Sequence, residues 1–111
     1  MKRKEDAEML FLSYWELNES MPAEQRMQIT RKITSGGIMP KGVEILRWDI
    51  TPDGWGITLL EAKSAADIDA AVAIWRMAGP GFFKSTRTAP AQPIQEAMSK
   101  YGDLLNSLAS L

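Results

Sequence analysis

The chain has 111 residues, of which 45% are hydrophobic and 24% charged, with a net charge of −1. That length fits one domain, and the near-cancellation of charge disfavours a polyanion-binding protein, which would carry a basic stripe. Cys and His are both absent, which excludes disulfides, thiolate nucleophiles, His general bases and His-ligated zinc or haem.

Lys2, Arg3 and Lys4 are followed at once by Glu5, Asp6 and Glu8. Residues 1–8 therefore read as a solvated, flexible segment rather than a phosphate-binding arm. Met9–Leu12 is too brief for the apolar core of a signal peptide, and no apolar run reaches the roughly 18 residues of a membrane span. A cytoplasmic protein with no membrane partner is expected.

Met9–Glu16 is the first predicted strand, rich in large apolar and aromatic residues. Pro22 suits the first turn of a helix, and Met27, Thr30, Ile33 and Thr34 recur on one helical side. Gly36-Gly37 stops that helix and Pro40 prevents its return. Val43–Thr51 and Trp55–Ala62 are two further strands joined by Pro52-Asp53-Gly54, a turn in which proline presets φ and glycine accepts a positive one. Ser64, three residues before Asp67, caps a helix whose stripe is Ile68, Ala71, Val72 and Trp75. Gly79-Pro80-Gly81 ends it, Phe82–Ala89 is the fourth strand, and Pro90 and Pro93 close that strand. A last helix from about Pro93 keeps Ile94, Ala97, Met98, Tyr101, Leu104, Leu105 and Leu108 on one face.

This order, strand-helix-strand twice, predicts an α+β, ferredoxin-like βαββαβ subunit over residues 9–92, with a four-stranded antiparallel sheet and both helices on one face. Residues 93–111 form an amphipathic helix expected to pack on the body or on a partner subunit. The open sheet face carries too many apolar residues for water. A homodimer, or a higher oligomer, is the expected unit.

Strict alternation places Val43, Ile45, Arg47 and Asp49 on one face of the second strand, and Phe83, Ser85, Arg87 and Ala89 on one face of the fourth. Tyr14, Arg47, Asp49, Glu61 and Arg87 are the candidates to line a pocket around an apolar ligand. Arg47 or Arg87 would stabilise a developing anion, Glu61 or Asp49 would accept a proton, and Tyr14 would steer a ligand oxygen. Trp15, Trp48 and Trp55 are read first as core or interface anchors and second as aromatic pocket walls; Trp75 reads as core. Ion pairing of Arg47 and Arg87 with Glu61 or Asp49 is the structural alternative. The glycine pairs follow helices rather than opening them after a strand, and no dense carboxylate cluster or calcium-loop spacing is visible, so no cofactor and no metal are expected. Aromatic strands raise RNA binding, but the basic face and the glycine-containing signature are missing.

Leu12-Ser13-Tyr14-Trp15-Glu16, Pro40-Lys41-Gly42-Val43, Gly54-Trp55-Gly56-Ile57 and Leu60-Glu61-Ala62, with the Ala-rich helix carrying Trp75, resemble the domain of unknown function 3303, a family of small, uncharacterised bacterial proteins of the dimeric α+β barrel type. The resemblance covers Met9 to Pro93. It implies a ferredoxin-like subunit whose sheet faces its mate. Members of the wider fold include cofactor-independent monooxygenases, isomerases and cyclases acting on aromatic or polyketide-like compounds, as well as haem-degrading and small-molecule-binding proteins. The resulting expectation is a homodimeric small-molecule-binding or accessory protein with an apolar pocket. The alternatives are a cofactor-independent monooxygenase, isomerase or cyclase, and a structural interaction module using the terminal helix.

Overall fold

The computed structural model describes residues 8–111. Apart from Glu8, the segment expected to be flexible lies outside the described residues. Seven elements follow in order: β1 (Met9–Leu17), α1 (Ala23–Ser35), β2 (Val43–Ile50), β3 (Trp55–Ala62), α2 (Ala65–Ala78), β4 (Phe83–Ala91) and α3 (Ile94–Ala109). The strands form one antiparallel sheet in the order β2-β3-β1-β4. This is the ferredoxin-like arrangement expected from the sequence.

Local chemistry accounts for the boundaries. Gly54 adopts φ 79° in the β2–β3 turn, where its amide donates to the Thr51 carbonyl at 3.1 Å and Thr51 N–H donates to the Trp55 carbonyl at 2.8 Å. Ser64 caps α2 by accepting from the Asp67 amide at 3.3 Å. Pro22 stands just before α1 rather than within its first turn, and its carbonyl accepts from the Arg26 amide. Pro90 does not close the fourth strand: it pairs opposite Phe11, and β4 continues to Ala91. The strand tolerates it because β4 is at the sheet edge, where a missing N–H deprives no neighbouring strand of a partner.

Two bulges reset the alternation that the sequence suggests. On β2, Ile45 lies opposite Leu60 and Arg47 opposite Leu59, leaving Leu46 as an extra residue. On β4, Ser85 lies opposite Glu16 and Phe83 opposite Leu17, leaving Lys84 extra. Each bulge inverts the facing of every residue beyond it. Val43 and Ile45 therefore share a face with Trp48 and Ile50, not with Arg47 and Asp49. Phe83 likewise parts from Ser85 and Arg87 and joins Thr86 and Thr88.

The tight core is at one end of the helix-covered face, where Phe11, Leu60, Ala62 and Ile68 are buried together with Val43 and Val72 against them. Burying each such large side chain stabilises by about 1.5–3 kcal/mol. Farther along, Trp15 lies flat over β3 because the facing residue is Gly56. A Cβ at Gly56 would run into the Asp49 carbonyl oxygen and the Trp15 indole, and neither a paired backbone nor a buried ring can yield cheaply. Gly56→Ala is expected to destabilise the fold by about 1–3 kcal/mol, measurable as a lower urea midpoint. An unchanged midpoint would mean that the indole does not pack as described.

Helix α3 behaves differently from the rest. Only Gln92-Pro93 separates it from β4, and of its residues Ala97 alone is buried. Ile94, Leu105 and Leu108 are 73%, 66% and 63% exposed. Beyond Ala97 its apolar face is left largely exposed, and the radius of gyration of 17.3 Å exceeds the roughly 13 Å of a compact domain near this length. Among the described residues, no helix is long and apolar enough to cross a membrane.

Candidate functional site

A cavity of about 510 Å³ lies between the sheet and the two helices α1 and α2. It exists because α1 stands off from the sheet: Ile33 is its one buried residue and Met27 is more than half exposed. The sheet contributes Trp15, Trp48, Thr58 and the bulge-turned Phe83; α1 contributes Arg26, Met27 and Thr30; α2 contributes Ala71, Val72 and Trp75.

Its walls are a chain of aromatic contacts. Trp48 meets Trp75 edge-on with centroids 5.7 Å apart. Trp75 contacts Phe82 at 5.4 Å and Phe83 at 5.9 Å, and Phe83 in turn reaches Trp15 at 6.1 Å. Such tilted and edge-to-face pairs are favourable beyond their area. The floor is polar at a few places. Trp15 Nε1 donates to Thr58 Oγ1 at 2.9 Å, Ser13 Oγ and Thr88 Oγ1 are 2.8 Å apart, and Arg76 donates to Thr86 Oγ1 at 2.8 Å. Among the described lining residues, only Arg26 and Arg31 are of a charged type. Arg26 is committed in part to the β1–α1 connection, donating to the Asn18 and Met21 carbonyls at 3.0 and 2.8 Å.

The eight sequence-derived candidates divide between the two sheet faces. Trp15 and Trp48 line the cavity. Tyr14, Arg47, Asp49, Trp55, Glu61 and Arg87 belong to the opposite, open face. Within one chain, then, Tyr14, Arg47, Asp49, Glu61 and Arg87 do not share a pocket with Trp15 and Trp48: successive strand residues point to opposite faces, and the Leu46 bulge sends Trp48 inward and Arg47 outward. Of the ion pairs considered, the exposed Arg47–Asp49 pair is formed, at 2.6 Å. Tyr14 stacks obliquely near Trp55, centroids 6.0 Å apart, and its hydroxyl donates to Glu16 Oε1 at 2.5 Å. That bond, helped by desolvation and by the Glu16 charge, raises the Tyr14 pKa above its ordinary 10.0, with Arg87 acting in the other direction. Tyr14 is therefore a hydrogen-bond donor at neutral pH.

The sequence reading missed three features. Trp75, a core residue by its helical spacing, forms a cavity wall together with Phe82 and Phe83. The floor hydroxyls Ser13, Thr58, Thr86 and Thr88 went unremarked, although the run of Ser and Thr on strands otherwise apolar was a signal. Carboxylates do cluster: oxygens of Glu8, Glu44 and Glu61 lie within 4.8 Å of one another. Glu44 and Glu61 are direct cross-strand partners, a pairing invisible until register is known. Three such oxygens are the ligand type hard cations take.

The fold and cavity together define an α+β subunit with an aromatic-walled, hydroxyl-floored chamber between sheet and helices. Residues 9–105 match the family described as a domain of unknown function (DUF3303), and the chain belongs to that family. No curated protein matches it.

Proposed function

We propose that this chain is a homodimeric small-molecule-binding protein whose ligand, apolar or aromatic with a polar or anionic group, occupies the chamber between the sheet and α1 and α2. The observation that carries this reading is a cavity of about 510 Å³ walled by Trp15, Trp48, Trp75, Phe82 and Phe83. Its size falls within the roughly 300–1,000 Å³ of small-molecule sites, and its mainly apolar lining with a few polar groups is their usual composition. Arg26 and Arg31 bring positive charge to it from α1, which suits an anionic substituent. No lining residue among those described is a carboxylate, so the chamber offers no side-chain proton acceptor of that kind, which favours binding over acid–base catalysis there.

The dimer follows from surface left uncovered. Rows such as Arg47–Leu59–Leu12–Ala89 and Asp49–Ile57–Tyr14–Arg87 cross the open face, mixing apolar centre with charged edge. Six large apolar side chains of α3 are more than half exposed. At on the order of 100 Å² each, two arms reach the roughly 1,200 Å² of a stable interface before any sheet contact is added. A connector of two residues, one of them proline, gives α3 little freedom to turn back on its own sheet, so the occupant is a second copy. Pairing of the open faces would give a dimeric α+β barrel and bring Tyr14, Arg47, Asp49, Glu61 and Arg87 to the interface. Native mass spectrometry of the purified protein tests both parts: a dimer mass carrying a retained small molecule is expected. A bare monomer, showing no uptake of an added aromatic probe, would overturn the reading.

A further inference from the structure

The ligand-binding reading leaves the ligand's chemistry open, and the cavity floor narrows it. The register aligns Trp48, Thr58, Ser13 and Thr88 as one row across all four strands, with Trp15 and Thr86 in the next row. Every hydroxyl in these rows lines the chamber.

A hydroxyl carries one O–H donor and two acceptor lone pairs, so its partners reveal what it still needs. Thr58, only 6% exposed, accepts from the Trp15 indole. Its own O–H has no acceptor among the described residues. Thr86 likewise accepts from Arg76. Between Ser13 and Thr88 one hydroxyl donates to the other, so whichever accepts keeps its own proton to give. Each neighbour therefore takes up accepting capacity and leaves an O–H over. A buried donor without an acceptor is costly, and the neighbouring walls are aromatic carbon.

We infer that the row Thr58–Ser13–Thr88 is a donor strip that recognises carbonyl-type oxygen on an aromatic ligand, making the ligand class aryl ketones, quinones and related oxygenated ring systems rather than plain hydrocarbons. This rests on the binding reading above. The aromatic walls hold the ring system, while the floor selects for an acceptor atom and rejects a group that brings only C–H to it.

A matched pair of probes tests the assignment: 2-acetylnaphthalene and 2-ethylnaphthalene have similar size and differ in the carbonyl oxygen. Titration of the full chain, followed by protein-observed NMR, is expected to show the ketone binding about fivefold tighter or more. Thr58→Ser keeps the hydroxyl and keeps the preference. Thr58→Val removes it and brings the two probes level. Because Thr58→Val also deprives Trp15 of its acceptor, the double variant Ser13→Ala/Thr88→Val, which leaves that bond intact, is measured beside it and is expected to lower the preference. Equal affinities in the wild type, or a preference surviving both the Val and the double variant, would overturn the donor strip while leaving the cavity as a binding site. Failure of both probes to bind at all would overturn the donor strip and the binding site together.

Discussion

Thr30→Phe is expected to abolish probe binding and to stabilise the protein at the same time. Thr30 is half-buried on α1, faces the chamber, and uses its hydroxyl only to back-bond the Arg26 carbonyl at 2.9 Å. A phenyl ring there projects into space bounded by Trp15, Trp48 and Trp75, so it competes directly with any ring-shaped ligand. A ligand site and a packing defect differ in what filling them costs: filling a true void gains apolar contact without displacing anything. The expected gain is about 1 kcal/mol, a Tm rise of about 4 °C for a chain near this length. Affinity for 2-acetylnaphthalene is expected to fall at least about tenfold, the loss that accompanies about 1.4 kcal/mol of lost contact. Three of the four Trp line the chamber, so intrinsic fluorescence reports the binding. A lower Tm with unchanged affinity would mean that the space is not there in solution.

The double change Leu105→Glu/Leu108→Glu is expected to convert a dimer into a monomer. Both leucines lie on the apolar face of α3 and are 66% and 63% exposed in the single chain, so the body of the subunit loses no packing. In the dimer each would be buried, and each buried leucine is worth about 1.5–3 kcal/mol. The dissociation constant is therefore expected to rise about a hundredfold or more, measured by sedimentation equilibrium. Helicity is expected to fall as well. A helix of 16 residues with nothing to pack against is marginal in water, so α3 should fray in the monomer while α1 and α2 persist. Identical monomeric behaviour of wild type and variant would remove α3 from any role in self-association.

The two experiments are independent because no residue of α3 lines the chamber. Filling the chamber leaves α3 and the open face untouched. Charging α3 leaves the chamber intact, so a monomeric variant that still binds the ketone probe would separate ligand binding from assembly.

Sequence alone determined the element order, the Pro52-Asp53-Gly54 hairpin turn, the Ser64 cap and the amphipathic face of α3, because each is written in residues a few positions apart. It also supplied the tryptophans of the site, but with their roles undivided. On β2 and β4, which residues share a face was decided by the Leu46 and Lys84 bulges, which arise from pairing between distant strands. The same pairing set Thr58 beside Ser13, Ser13 beside Thr88 and Glu44 beside Glu61, and it parted Arg47 from Ile45. The chamber itself depended on how far α1 stands from the sheet, and no local pattern encodes that distance. A period of two along a strand says that neighbours face apart; only the assembled sheet says which of them face a partner.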